Sequence, residues 1–202
     1  MTESCDPASF PRRLSREICR RATAGAVAGS FGLWIIVLSL INGKPFGLAR
    51  LQEITGGPSI LDMTFTTGPD SVYAVLDALG DAGRAFDLTH IVPLDLVFPF
   101  TYGLFLALGI SWGLVRLLPE GSPWLLLNLA PVIAAAADYC ENAGVIALLL
   151  TYPARLDPAA WFVSIMYIIK SGFSAVSFLT LIAALAGVAV MSLLHRLGRS
   201  PA

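Results

Sequence analysis

Four stretches of the chain run for ~20 residues or more with little polar interruption, the length of helix that crosses ~30 Å of hydrocarbon at about 1.5 Å per residue. They cover roughly residues 22–42, 91–118, 123–151 and 159–194. The first reads as an anchor helix rather than a cleaved signal peptide, because its apolar core is long and no small-x-small cleavage site closes it at Asn42-Gly43-Lys44. Gly25 and Gly29, four apart, are spaced for close contact with another helix. Trp124 and Trp161, each near the start of a span, read as interface anchors.

Between the first two spans lie 48 residues, 43–90, rich in Gly, Pro, Thr and Asp, far more than a hairpin between membrane helices needs. Within this cap Gly68-Pro69-Asp70 is a helix-start signal, and Val72, Val75, Leu76 and Leu79 recur at helical spacing. One narrow apolar stripe predicts a short amphipathic helix lying on the bundle or the lipid interface, ending near Gly80 and Gly83 and leaving Arg84 in the turn. The expected fold is all-α: residues 1–202 form a single membrane domain, a four-transmembrane-helix bundle with a small extracytoplasmic cap.

Composition agrees with that pattern. The chain is 56% hydrophobic and only 13% charged, against about 25% charged in a soluble protein. A formal charge of -1 gives no reason to expect nucleic acid as a partner. Charge placement says more. Arg12, Arg13, Arg16, Arg20 and Arg21 precede the first span, Arg116 follows the second, and Arg196 and Arg199 follow the last. The opposite connections hold only Lys44, Arg50, Arg84 and Arg155. The positive-inside bias therefore predicts cytoplasmic tails at 1–21 and 195–202. Cys5, Cys19 and Cys140 supply neither a disulfide framework nor a CxxC metal site.

The last three runs have 28, 29 and 36 residues, or roughly 42–54 Å as helices, so they must tilt or protrude toward the cap. Rise counted from the cytoplasmic ends places Asp95 and Lys170 at ~35 Å, and Tyr102, Asp138, Glu141 and Asn142 at ~22–29 Å. Faces agree with depths. Asp95, Pro99 and Tyr102 share one helix side, as do Asp138, Glu141 and Asn142, and as do Lys170, Ser174 and Ser177. Three polar stripes at similar depth face one another or water. Pro99, flanked by Phe98 and Phe100, removes an amide N–H and loosens the helix near Asp95.

The plainest account of these stripes is inter-helix adhesion, with Asp95 and Lys170 as a structural ion pair. Against it stands the charge count: Asp95, Asp138 and Glu141 face one intramembrane cation, Lys170. Unpaired buried carboxylates take up a proton, a cation or an arginine. Arg84 could neutralise one and make the cap a lid. A metal or sodium ion at Asp138 and Glu141, helped by the Asn142 carbonyl, is a second option, and a cationic ligand or lipid headgroup a third. The candidate ligand-binding residues are thus Asp138, Glu141, Asn142, Tyr102 and Arg84.

Two other classes compete. A headgroup-processing enzyme would use Glu141 or Asp138 as general base, assisted by Tyr102 or Lys170. A structural or assembly protein would need only the Asp95–Lys170 pair. A secondary transporter would require a homo-oligomer, since four helices without an internal repeat are few for alternating access. His90 and His195 lack ligand-spaced partners, and HExxH, GxSxG, Walker and GxGxxG patterns are missing. No resident cofactor is expected. Ser171, Ser174 and Ser177 read as packing hydroxyls. The strings GDAGRAFD, LDLVFPFTYG and DYCENAG, in this order and at helix-length separations, resemble a pattern in small four-helix integral membrane proteins. That resemblance spans about residues 60–175 and implies the same polar positions, with no activity attached.

Overall fold

A computed structural model describes residues 10–57 and 60–197; Cys5 and Arg199 lie outside them. Every regular element among the described residues is helical. Helix α1 (Phe10–Arg21) leads into α2 (Ala24–Asn42), and the cap follows with α3 (Leu48–Thr55), a 3-10 turn (Leu61–Met63) and α4 (Pro69–Phe86). Helix α4 runs on through a π-helical stretch (Asp87–Ile91) and α5 (Val92–Asp95) to α6 (Phe98–Leu117). A 3-10 segment (Pro123–Leu129), α7 (Ala130–Thr151) and α8 (Asp157–Leu197) complete the chain. Four helical stretches, Ala24–Asn42, Pro69–Leu117, Pro123–Thr151 and Asp157–Leu197, are long and apolar enough to cross a membrane. The protein is an all-α, four-span bundle with a helical cap.

Helices α7 and α8 form the tightest pair, α6 packs on both, and α2 packs on α6. Glycine permits the close approaches. A Cβ at Gly144 would lie 2.6 Å from Val163, one at Gly113 2.7 Å from Ala184, and one at Gly109 2.9 Å from Leu181. The Gly113–Ala184 and Gly109–Leu181 contacts also fix a parallel register, which carried toward the cap brings Phe98 level with Lys170. Gly25 and Gly29 behave differently from expectation, since a Cβ on either would meet nothing within 4 Å. Their face of α2 points away from the bundle, and the close contacts fall on α6 and α7 instead. Much of α2 and α8, including Ile36, Leu40, Leu179 and Ile182, presents exposed apolar side chains, as lipid-facing helices do.

The cap is fastened to the bundle by a shared core. Leu51, Leu61, Val72, Leu76 and Leu79 pack with Ile91, Val145, Leu148 and Val163. The apolar stripe read from the sequence supplies three of these residues. Its helix does not stop at the glycines, however. Gly80 takes φ 63°, a left-handed conformation that suits glycine, so α4 kinks there and continues to Phe86. At the opposite end of the bundle α1 is docked rather than trailing. Its Ser15 is buried and donates to the Leu125 carbonyl at 3.2 Å.

Candidate functional site

Four elements converge on one cluster of side chains. Asp138 and Glu141 sit three residues apart on α7, so both point the same way. Lys170 lies opposite them on α8, and Tyr102 comes from the first turns of α6. That helix begins after a break at Leu96-Val97, with Pro99 at its start, where a missing amide N–H costs no helical bond. The fourth element is the cap turn Leu61–Met63, which buries Leu61 and turns Asp62 inward.

The Lys170 ammonium is the hub. It lies 2.7 Å from Glu141 Oε2 and 3.6 Å from Asp138 Oδ1, and it is ion-paired to the Asp62 carboxylate. It also reaches the Asp62 carbonyl at 3.4 Å. The Lys170 side chain is 12% exposed, that of Asp138 4%, and that of Glu141 fully buried. Tyr102 donates its hydroxyl to Asp138 Oδ2 at 3.1 Å. Asp138 Oδ1 and both Glu141 carboxylate oxygens are buried without a hydrogen bond. Glu141 Oε2 nevertheless has the ammonium 2.7 Å away as an ionic partner. A buried carboxylate with such oxygens is short of partners.

Three expectations need correction. Lys170 does not pair with Asp95, because the equal heights counted along the helices say nothing about direction around them. Asp95 is buried beside α7, where its backbone carbonyl accepts from Asn142 Nδ2 at 3.3 Å. Nor does Arg84 close over the carboxylates. Its guanidinium donates to the Leu76 carbonyl at 2.6 Å across the Gly80 kink, pairs with Asp81, and stacks 3.8 Å over the Tyr152 ring. Asn142 is likewise committed to Asp95 rather than turned to the cluster. Of the five proposed ligand-binding residues, the structure brings Asp138, Glu141 and Tyr102 together around Lys170 and leaves Asn142 and Arg84 aside.

Asp62 is the participant that sequence reasoning missed. Its signal was an aspartate inside Ile60-Leu61-Asp62-Met63, a run too apolar to stay in water. Oxygens of Asp62, Asp138 and Glu141 lie within 4.8 Å of one another, a hard-oxygen set of the kind that holds cations. The cation among them is the chain's own Lys170, which balances one carboxylate and leaves two unbalanced.

Beside the cluster is a cavity of about 250 Å³. Its polar wall is Tyr102, Asp62, Asp138 and Lys170; its apolar wall is Trp34 of α2, Phe98 of α6 and Phe178 of α8; Ser171 and Ser174 complete it. Trp34 stacks on Phe105 with ring centroids 5.2 Å apart, and its buried Nε1 has no partner. Aromatic faces beside surplus carboxylates suit an organic cation.

No family model, curated protein or solved structure matches the chain.

Proposed function

We propose that this multi-pass protein binds a small organic cation in the cavity between α2, α6 and α8. Asp138 and Asp62 are its carboxylate contacts, and the Trp34, Phe98 and Phe178 rings are its walls. Glu141 stands behind Asp138 and holds Lys170. Both termini lie in the cytoplasm, by the eight-to-four excess of Lys and Arg on that side. The cavity then lies in the outer half of the bilayer, beneath the cap.

The observation that carries this reading is the imbalance of charge beside a cavity: Asp62, Asp138 and Glu141 share the one ammonium of Lys170, and Asp62 and Asp138 line an aromatic-walled cavity. A cluster serving only to join helices would gain by replacing one of these carboxylates with an amide. A bound ammonium supplies the missing charge.

The test is thermal unfolding of purified protein with primary amines, quaternary ammonium compounds and inorganic cations, compared with Asp138→Asn/Glu141→Gln. A compound that binds the native state at a hundred times its Kd stabilises by about 2.7 kcal/mol. An organic cation should raise Tm in the natural chain and leave the double variant unmoved. Equal responses of the two proteins to every compound would overturn the proposal.

A further inference from the structure

We infer that the ligand is a long-chain amine drawn sideways from the bilayer, its head at Asp138 and Asp62 and its hydrocarbon chain lying in the seam between α2 and α8. The inference rests on the cation-binding reading above and adds the ligand's class and route.

Size comes first. A cavity of about 250 Å³ equals roughly eight water volumes, enough for a head group and a few carbons. Access is next. On the cap side the way is covered: Ile60 and Leu61 are 4% and 1% exposed, Thr66 and Ser164 hydroxyls are bonded at 2.8 Å, and Asp62 is latched to Lys170. On the lateral side there is no such cover. Helices α2 and α8 each pack against α6 and hardly touch each other, and the pair that spans their seam is Trp34 and Phe178, with ring centroids 6.3 Å apart. Phe178 is 38% exposed, on an apolar surface that faces lipid.

The cavity is also graded along the membrane normal. Trp34 stacks on Phe105, and α2 and α6 run in opposite directions, so the last turn of α2 comes level with the start of α6 and with Lys170. The charged end of the cavity therefore sits where α2 ends, and its Trp34 and Phe178 end sits deeper. A lipid-like amine standing in a leaflet has the same polarity gradient in the same direction.

Two hydroxyls support a ligand in the seam. On α2 and α8, Ser39, Ser177, Thr180 and Ser192 each donate to the carbonyl four residues earlier, the usual arrangement for a hydroxyl in lipid. Ser171 and Ser174, both lining the cavity, form no hydrogen bond among the described residues. They leave two hydroxyls open to a ligand inside the seam. The surplus of carboxylates selects an amine head over a phosphate or carboxylate head.

The experiment uses the full chain in phosphatidylcholine nanodiscs, with thermal unfolding read against ethylamine, dodecylamine and dodecanol. The variants are Asp138→Asn and Ser174→Phe, the second placing a ring in the seam about one turn of α8 from Lys170. Dodecylamine should stabilise the natural chain at a concentration at least a hundredfold below that of ethylamine. Ser174→Phe should narrow the ratio between the two amines measured in the same protein, whatever it does to ethylamine alone, whereas Asp138→Asn should lose the response to both. Should Ser174→Phe not fold, chain-brominated dodecylamine gives an independent reading, quenching natural-chain fluorescence more than that of Trp34→Phe. If ethylamine works as well as dodecylamine, or no extra quenching arises from Trp34, the bilayer route is overturned and cation binding stands. A response to dodecanol equal to that of dodecylamine overturns the amine head, and no response to either amine overturns both readings.

Discussion

Buried polar groups occur at both ends of this bundle, and the two groups are built differently. At the end away from the cap, Asn128 donates to the Ser15 carbonyl at 3.1 Å, to Ser111 Oγ at 2.8 Å and to Cys19 Sγ at 3.4 Å, tying α1 to the spans. All of its members are neutral, and one acceptor, Asn128 Oδ1, is left over. At the cap end Lys170 ties the cap turn to α7 and α8, but three carboxylates crowd one ammonium, three oxygens lack hydrogen bonds, and a cavity adjoins them. A neutral network joins helices at little cost, whereas desolvated surplus charge is expensive. Joining therefore accounts for the first cluster and does not account for the second.

The largest effect belongs to the hub. Lys170→Met strips the ammonium from three carboxylates, and breaking a buried ion pair from one side costs about 3–5 kcal/mol. Equilibrium unfolding in mixed micelles should show a loss of that size, or no folded protein at all. Adding Glu141→Gln removes one of the stranded charges, so Lys170→Met/Glu141→Gln should recover part of the loss. A double variant no better than the single one would show that the carboxylates are not what the lysine holds in check.

A smaller contrast separates the two ends directly. Asn128→Ala leaves the Ser15 carbonyl and Ser111 without their donor, at a cost of about 1–3 kcal/mol. Glu141→Gln, equally buried, should cost nothing measurable or raise stability, because Lys170 keeps Asp62 and Asp138. Unfolding midpoints of the two single variants decide the matter, and equal losses would make the cap-end cluster ordinary adhesion.

What could be read from the sequence follows the same division. The four spans were legible because membrane crossing is a matter of length and apolarity, and Asp138, Glu141 and Lys170 because charge in a span is rare. Their heights came from counting, but partners depend on the azimuth of each helix, which a single run of residues does not encode. Hence Lys170 was assigned to Asp95 rather than to Asp62. The cap turn is held down by Ile60 and Leu61 against core from distant spans, so its arrival at Lys170 is a tertiary fact. Arg84 points away because the Gly80 kink sets Leu76 and Tyr152 within its reach. Helices α1 and α3 are short, and such helices are stabilised by docking more than by local preference.

The smallest effect is a control on burial itself. The cap also carries an exposed charged group, in which Glu53 meets Lys44 and Arg50, with the side chains 41% to 61% exposed. Lys44 first, and then Arg50, hold the Glu53 carboxyl below its ordinary value of 4.5. A carboxyl lowered by folding adds stability that is present above its unfolded value and is lost as pH falls through the folded one. The natural chain should therefore hold a slight Tm advantage over Glu53→Gln at neutral pH and low salt. That advantage should fade as pH falls below 4.5, and 1 M salt at neutral pH should erase it too, since screening then acts within about 3 Å. The loss in Lys170→Met should persist in the same salt, because buried charges are screened far less. If salt instead rescued Lys170→Met, the cap-end cluster would be reached by water and ions from the cap side, and the difference between the two ends would be one of exposure rather than of unpaired charge.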